Sequence, residues 1–179
     1  NARMYVQGLC TAALSEATAI NLMLLRANPN AKVIGVKKRK VLEEETQVLR
    51  AHAQAAINFI INAQCKDGGW SYQPGSGGGD TSVVGWQMMA LMSGRSFNAA
   101  LPMRTFIGAT SYLNKVQSPD GAGYGYRTPG KGAATSAIGL LCRMYMGWKR
   151  ETEALKRGVL YLSTMGPAKN NMYYNYYAT

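Results

Sequence analysis

Two stretches of this chain repeat each other, and that repetition restricts the fold to a stack of similar units. Ala53 to Trp70 reads AQAAINFIINAQCKDGGW, and Ala109 to Tyr126 reads ATSYLNKVQSPDGAGYGY. In each, an aromatic lies five residues before a glutamine: Phe59 before Gln64 and Tyr112 before Gln117. Asp67-Gly68 or Asp120-Gly121 follows, and an aromatic, Trp70 or Tyr126, closes the unit. A third stretch, RGVLYLSTMGPAKNNMYY, keeps Arg157, Gly158, Tyr161 and Leu162 but lacks the glutamine. Units at this scale bury their apolar faces only by stacking on one another.

Each repeated residue has a physical task. A glutamine at a helix end can hydrogen-bond the orphan backbone groups of that helix or of the next. Asp-Gly makes a tight turn. The closing aromatic fills the gap between one hairpin and the next. Gln64, Asp67, Trp70, Gln117, Asp120 and Tyr126 are therefore expected to be structural staples, with Tyr72 and Tyr124 beside them.

Helical segments are expected at about 4–26, 46–64, 81–97, 101–117, 132–148 and 151–165, with a seventh starting at 172. The breaks carry Pro, Gly, Asn or Asp, as in Asn28-Pro29-Asn30 and Pro119-Asp120-Gly121. No segment sustains a period of two, so the chain reads as all-α. The first, third and fifth segments are nearly uncharged and centre on Gly8, Gly85 and Gly139. The second, fourth and sixth are amphipathic and carry Arg50, Arg104, Lys115, Lys156 and Arg157. Helices apolar all round are buried, and amphipathic ones line the outside. Inner and outer helices then alternate along the chain, and the three glycines permit close helix contact. The 179 residues suit one domain, 1–179, with a real core. The missing initial methionine and the ending MYYNYYAT predict that the parent chain is longer.

Residues 29–45 stand apart as a basic insertion or loop, in which Lys32 to Val41 reads as a short hairpin or irregular segment. Lys37-Lys38-Arg39-Lys40 contribute to a net charge of +11. Such a run can meet an anionic membrane surface. Glu43-Glu44-Glu45 offset it directly, and no nucleic-acid-binding motif accompanies it. No stretch is expected to span a membrane, because Glu16, Asn21 and Arg26 interrupt the longest apolar candidate. Cys10, Cys65 and Cys142 are an odd count without CxxC spacing, which disfavours a disulfide scaffold. Cys10 and Cys142 are expected as buried thiols. The single histidine, His52, has no Cys or carboxylate at zinc-ligand spacing. Gly75 to Gly79 lacks the Lys-Ser/Thr of a phosphate loop and reads as flexible linker.

The Gln…Asp-Gly…aromatic units resemble the QW-type repeats of squalene-hopene and oxidosqualene cyclases, within the terpenoid-cyclase and protein-prenyltransferase α/α-toroid family. Bacterial squalene-cyclase-like domain proteins are the nearest likeness. The resemblance implies an α/α-toroid of helical hairpins, of which this chain supplies a part. It also implies chemistry at Asp80-Thr81-Ser82, which is similar to the end of the cyclase motif Asp-x-Asp-Asp-Thr-Ala. Matching threonine to Thr81 puts Asp80 on the last Asp, Gly79 on the proton donor and Gly77 on the first Asp. Asp80 is therefore expected to be a helix N-cap and is at most a weak candidate for a catalytic acid. The zinc-binding Asp, Cys and His of the prenyltransferases have no matching cluster, and no cofactor is expected.

In cyclases, inward aromatic faces stabilise carbocations. Trp86, Tyr145, Tyr173, Tyr174, Tyr176 and Tyr177 are the corresponding ligand-binding candidates here, and inter-helix packing is the alternative role for them. The expected function is to bind an apolar, isoprenoid-like ligand or a protein partner. A cyclase whose acid lies elsewhere and a non-catalytic scaffold are the alternatives. Self-association is expected from apolar inner-type elements at both ends.

Overall fold

A computed structural model describes residues 3–29 and 35–179. Seven helices lie among the described residues: α1 Arg3–Ala27, α2 Val36–Asn62, α3 Thr81–Arg95, α4 Met103–Val116, α5 Ala133–Tyr145, α6 Glu153–Met165 and α7 Met172–Ala178. The only β pairing among them is a pair of isolated bridges from Gln117 to Tyr124 and to Gly130. The protein is all-α.

The odd-numbered helices form a row in which α1 packs on α3, α3 on α5 and α5 on α7. The even-numbered helices flank it: α2 lies against α1 and α3, α4 against α3, and α6 against α5. Polarity explains this division. In α3 the run Thr81 to Gly85 is wholly buried, as are Gln87, Met88, Ala90 and Leu91. In α5 everything from Thr135 to Leu140 is buried. On α4 only Thr105, Ala109, Tyr112, Leu113 and Val116 are buried, one stripe of an amphipathic helix.

The glycines of the row permit close approach. A Cβ on Gly8 would lie 3.0 Å from Trp86 Cβ, and one on Gly85 would lie 2.7 Å from Ile138 Cγ2. Gly139 differs from the expectation of helix-on-helix contact. A Cβ there would sit 2.3 Å from the ring of Tyr124, so this glycine receives a loop aromatic.

Three sequence expectations need correction. Residues 36–45 are not a loop or hairpin but the first turns of α2. Helical spacing lets their opposite charges pair, with Arg39 2.9 Å from Glu43 four residues on. Arg39 also donates to the carbonyls of Leu25 and Asn28, which fastens the end of α1 to α2. Residues 30–34 of that segment lie outside the described residues. Second, α1 is long and apolar enough to cross a membrane by length and composition, despite Glu16 and Asn21. It nevertheless packs along α2 and α3. Third, α1 is not buried all round, and Cys10 on it is exposed, unlike buried Cys142.

Candidate functional site

The first staple is built from Trp70, Gln64 and Asp67. Trp70 is fully buried, and its indole N–H donates to the Ile60 carbonyl at 2.7 Å. Gln64 Nε2 donates to Gly68 O at 2.8 Å and to Thr105 O at 2.9 Å, which ties the end of α2 to the first turn of α4. Asp67 accepts the backbone N–H groups of Gly69 and Gly79 and pairs with Lys115 at 3.1 Å. Burial opposes ionisation of this carboxylate. The Gly79 N–H, the Lys115 ammonium and the Gly69 N–H outweigh that cost and hold its pKa below the usual value.

Gly79 is therefore not part of a loose linker. It is buried against Gly69, and a Cβ on either glycine would enter the Tyr112 ring at 2.6–2.7 Å. Tyr112 donates to the Tyr126 carbonyl at 2.6 Å and so links the two repeat loops. Its counterpart Phe59 is 44% exposed, so the aromatic before each glutamine does not share one task.

In the second staple the plug is Tyr124, which is fully buried, whereas Tyr126 is 56% exposed. The expectation for Tyr126 is thus corrected. The longer loop Asp120-Gly121-Ala122-Gly123 delivers the ring four residues after the aspartate, not three as in Asp67 to Trp70. Arg143 closes this staple. It is buried, donates to Tyr124 Oη at 3.1 Å, to Asn114 Oδ1 at 2.6 Å and to Gln117 Oε1 at 3.3 Å, and lies 5.0 Å from the Trp148 ring. Nothing in the repeat pattern marks Arg143, which lies outside both units. Asp120 sits at the surface, bonded to Ser118, Ala122 and Lys131, and the Lys131 ammonium leads in holding its pKa far below normal.

Asp80 is the N-cap of α3. Its Oδ1 accepts from Ser82 N at 3.0 Å and from the Ser82 hydroxyl, and its Oδ2 lies 3.6 Å from Arg127. The Ser82 hydroxyl also accepts from Tyr5 at 2.6 Å. The carboxylate is thus engaged by a backbone amide, a hydroxyl and a guanidinium.

The candidate aromatics separate into three places. Trp86, Tyr173, Tyr176 and Tyr177 come together with Tyr5 and Tyr72. Trp86 stacks on Tyr176 at 5.7 Å between ring centroids, and Tyr177 meets Trp86, Tyr173 and Tyr176 edge-on at 5.0–5.9 Å. Tyr5 joins Tyr72 and Trp86 at 5.6 and 6.5 Å. Burial raises the phenols of Tyr5 and Tyr177 well above normal and that of Tyr173 to about 12. Tyr174 is turned away towards α6, with its hydroxyl 3.4 Å from the Leu162 carbonyl.

Tyr145 lines a separate pocket of about 580 Å³ between the ends of α3 and α5 and the start of α4. Met92, Leu101, Met103, Phe106, Ile107 and Met146 make its wall apolar, and Arg95 is its one charged lining residue. Burial raises the Tyr145 phenol, helped by neighbouring Cys142 and Tyr176. The methionines here are wall residues of a cavity, not only core filler, which helical spacing alone does not distinguish.

Lys37, Lys38 and Lys40 are exposed on α2, beside exposed Val36 and Val41. His52 is exposed, with Nδ1 2.8 Å from Val48 O. No protein-family model, no curated protein and no solved structure matches the chain.

Proposed function

We propose that the chain is part of an α/α-toroid of squalene-cyclase-like type that holds an apolar, isoprenoid-like ligand in the pocket between α3, α4 and α5. The single observation that carries this reading is the wall of that pocket, in which Met, Leu, Ile and Phe predominate around about 580 Å³. That volume lies within the range of about 300–1,000 Å³ of small-molecule sites, which pair apolar walls with few polar groups. Met92, Met103 and Met146 are flexible and adapt to a branched chain. The alternating row and flank of helices supports the toroid, since each hairpin adds one inner and one outer element.

Binding without acid catalysis by Asp80 follows from its partners. Its Oδ1 is taken by the Ser82 amide and hydroxyl and its Oδ2 faces Arg127, which commits the side chain to capping α3. The scaffold alternative draws its support from the six-ring cluster, where the aromatic rings pack on one another. The test is a titration with farnesol, followed by tryptophan fluorescence, since Trp148 lies next to Met146 and Gly147 in sequence. Saturable binding is expected, weakened about tenfold, or about 1.4 kcal/mol, by Ile107→Glu. Ile107 is 64% exposed at the rim, so the fold accepts the change. Absence of saturation, or unchanged affinity in Ile107→Glu, overturns the reading.

A further inference from the structure

Helix α1 is inside out. The face it buries carries Gly8, Thr11, Ser15 and Thr18 after Met4. The three hydroxyls turn back onto the carbonyls four residues earlier, Gln7, Thr11 and Leu14, each at 2.7 Å. The face it exposes carries Val6, Leu9, Ala13, Glu16, Ile20, Met23 and Ala27. Val6, Leu9, Ile20 and Met23 are each more than half exposed. An ordinary flanking helix has the reverse arrangement.

The exposed positions are spaced 3, 4, 3, 4, 3 and 4 residues apart. That mean of 3.5 is the spacing of a seam that meets one other helix along its length. Along the middle of the seam the flanking residues are small, Cys10, Ala12, Ala17 and Ala19, while Tyr5, Leu24 and Arg26 flank its ends. Small flanks let two backbones come close, whereas lipid chains gain nothing from them. The seam runs about 30 Å from Val6 to Ala27.

We propose that this face is covered by α1 of a second copy of the chain, in an antiparallel, two-fold pairing. Charge selects the direction. Arg26, Lys37, Lys38 and Lys40 crowd the α1–α2 tip at one end of the seam. An antiparallel pair puts the two tips at opposite ends, several Debye lengths of about 8–10 Å apart. A parallel pair would set them side by side. In the antiparallel register Val6 opposes Ala27, Leu9 opposes Met23 and Ala13 opposes Ile20. Glu16, whose Oε1 accepts from Ser93 Oγ of α3 at 3.4 Å, falls at the two-fold axis beside its own copy. One such polar position in a seam fixes register at a cost in affinity. A contact this long is also at the small end of interfaces that bury about 1,200–2,000 Å² in total. The pairing is therefore reversible, with a built-in brake at Glu16.

Sedimentation velocity of the whole chain over a concentration series tests this. The wild type is expected to move from monomer to dimer, more readily at about 0.5 M than at about 0.15 M salt because +11 per copy is screened. Ile20→Arg is expected to remain monomeric, and Glu16→Leu to tighten the dimer about tenfold or more. Helical content and melting of each variant at low concentration check that the monomer fold is kept. In a Cys10→Ser background, Glu16→Cys is expected to cross-link to itself under mild oxidation and Ala27→Cys is not, which fixes the antiparallel register. A monomer throughout, including for Glu16→Leu, overturns the proposal, as does a dimer that survives Ile20→Arg. Binding of the monomer to phosphatidylglycerol vesicles, lost in Ile20→Arg, would assign the face to lipid and overturn it equally.

Discussion

The two staples carry the same letters and close in different ways. At Gln64–Trp70 the plug is an indole whose single N–H is satisfied within the preceding helix, by Ile60 O. The aspartate reaches outward, to Gly79 and Lys115 on later elements. At Gln117–Tyr124 the plug is a phenol held by a buried guanidinium, and the aspartate stays local and exposed, with Lys131. Long-range tethering has moved from the aspartate in one unit to Arg143 in the other. A repeat therefore conserves the task of filling the gap between hairpins, not the bonds that perform it.

The largest effect should come from the two plugs themselves. Trp70→Ala is expected to destabilise the fold by about 3–5 kcal/mol, the range for truncating a large buried aromatic. Tyr124→Ala should cost about as much, because it also leaves Arg143 without its phenol partner. Urea melts measure both. An unchanged midpoint for Trp70→Ala with a large loss for Tyr124→Ala would show that only the arginine-held staple bears load. Gly139→Ala belongs with these, since its Cβ meets the Tyr124 ring at 2.3 Å and the packed neighbourhood must shift.

How much of this could be read from the chain follows from what each feature depends on. Helices α3 to α7 and the division into row and flank were legible, because both rest on local polarity and turn residues. The start of α2 was not, because Lys37–Lys40 followed by Glu43–Glu45 resembles a solvated run until i to i+4 pairing is considered. Asp80 was legible as a cap because Asp before Thr-Ser is a local signal. Tyr124 was displaced to Tyr126 because the loop length between Asp-Gly and the plug differs by one residue between units. The pocket around Tyr145 was hidden for another reason: it assembles Met92, Phe106 and Tyr145 from three helices, and no spacing in sequence announces such a junction. The inverted polarity of α1 was present in the letters, but its Thr and Ser positions gain meaning only once that face is known to be buried.

A middle-sized effect separates the two aspartates by pH. Asp67 has a lowered pKa in the folded state. Its contribution is fully present above the unfolded value of about 3.9 and is lost as pH falls through the lower folded value. Asp67→Asn should therefore be less stable at neutral pH and show a flatter acid limb below about pH 4. Asp120 is also lowered but is exposed, so solvent screens its ion pair. Asp120→Asn should change the midpoint less. Equal acid limbs for the two variants would remove the distinction between an outward and a local aspartate. At the start of α3, Asp80→Ala should cost about 0.5–2 kcal/mol while Asp80→Ser retains most stability, since serine caps comparably.

The smallest effect is expected at Tyr126, and it is the sharpest test of which aromatic is the plug. The Tyr126 side chain is exposed, and what the fold uses of this residue is its carbonyl, which accepts from Tyr112 Oη at 2.6 Å and from Thr81 N at 3.0 Å. Alanine keeps that carbonyl. Tyr126→Ala should thus shift stability by no more than about 0.5 kcal/mol, the ordinary range for a surface substitution. Set beside Tyr124→Ala, two changes of the same chemistry two residues apart should differ several-fold in urea. A cost for Tyr126→Ala comparable to that of Tyr124→Ala would mean that both rings plug the gap. The one-residue difference between the loops would then not be what separates the two staples.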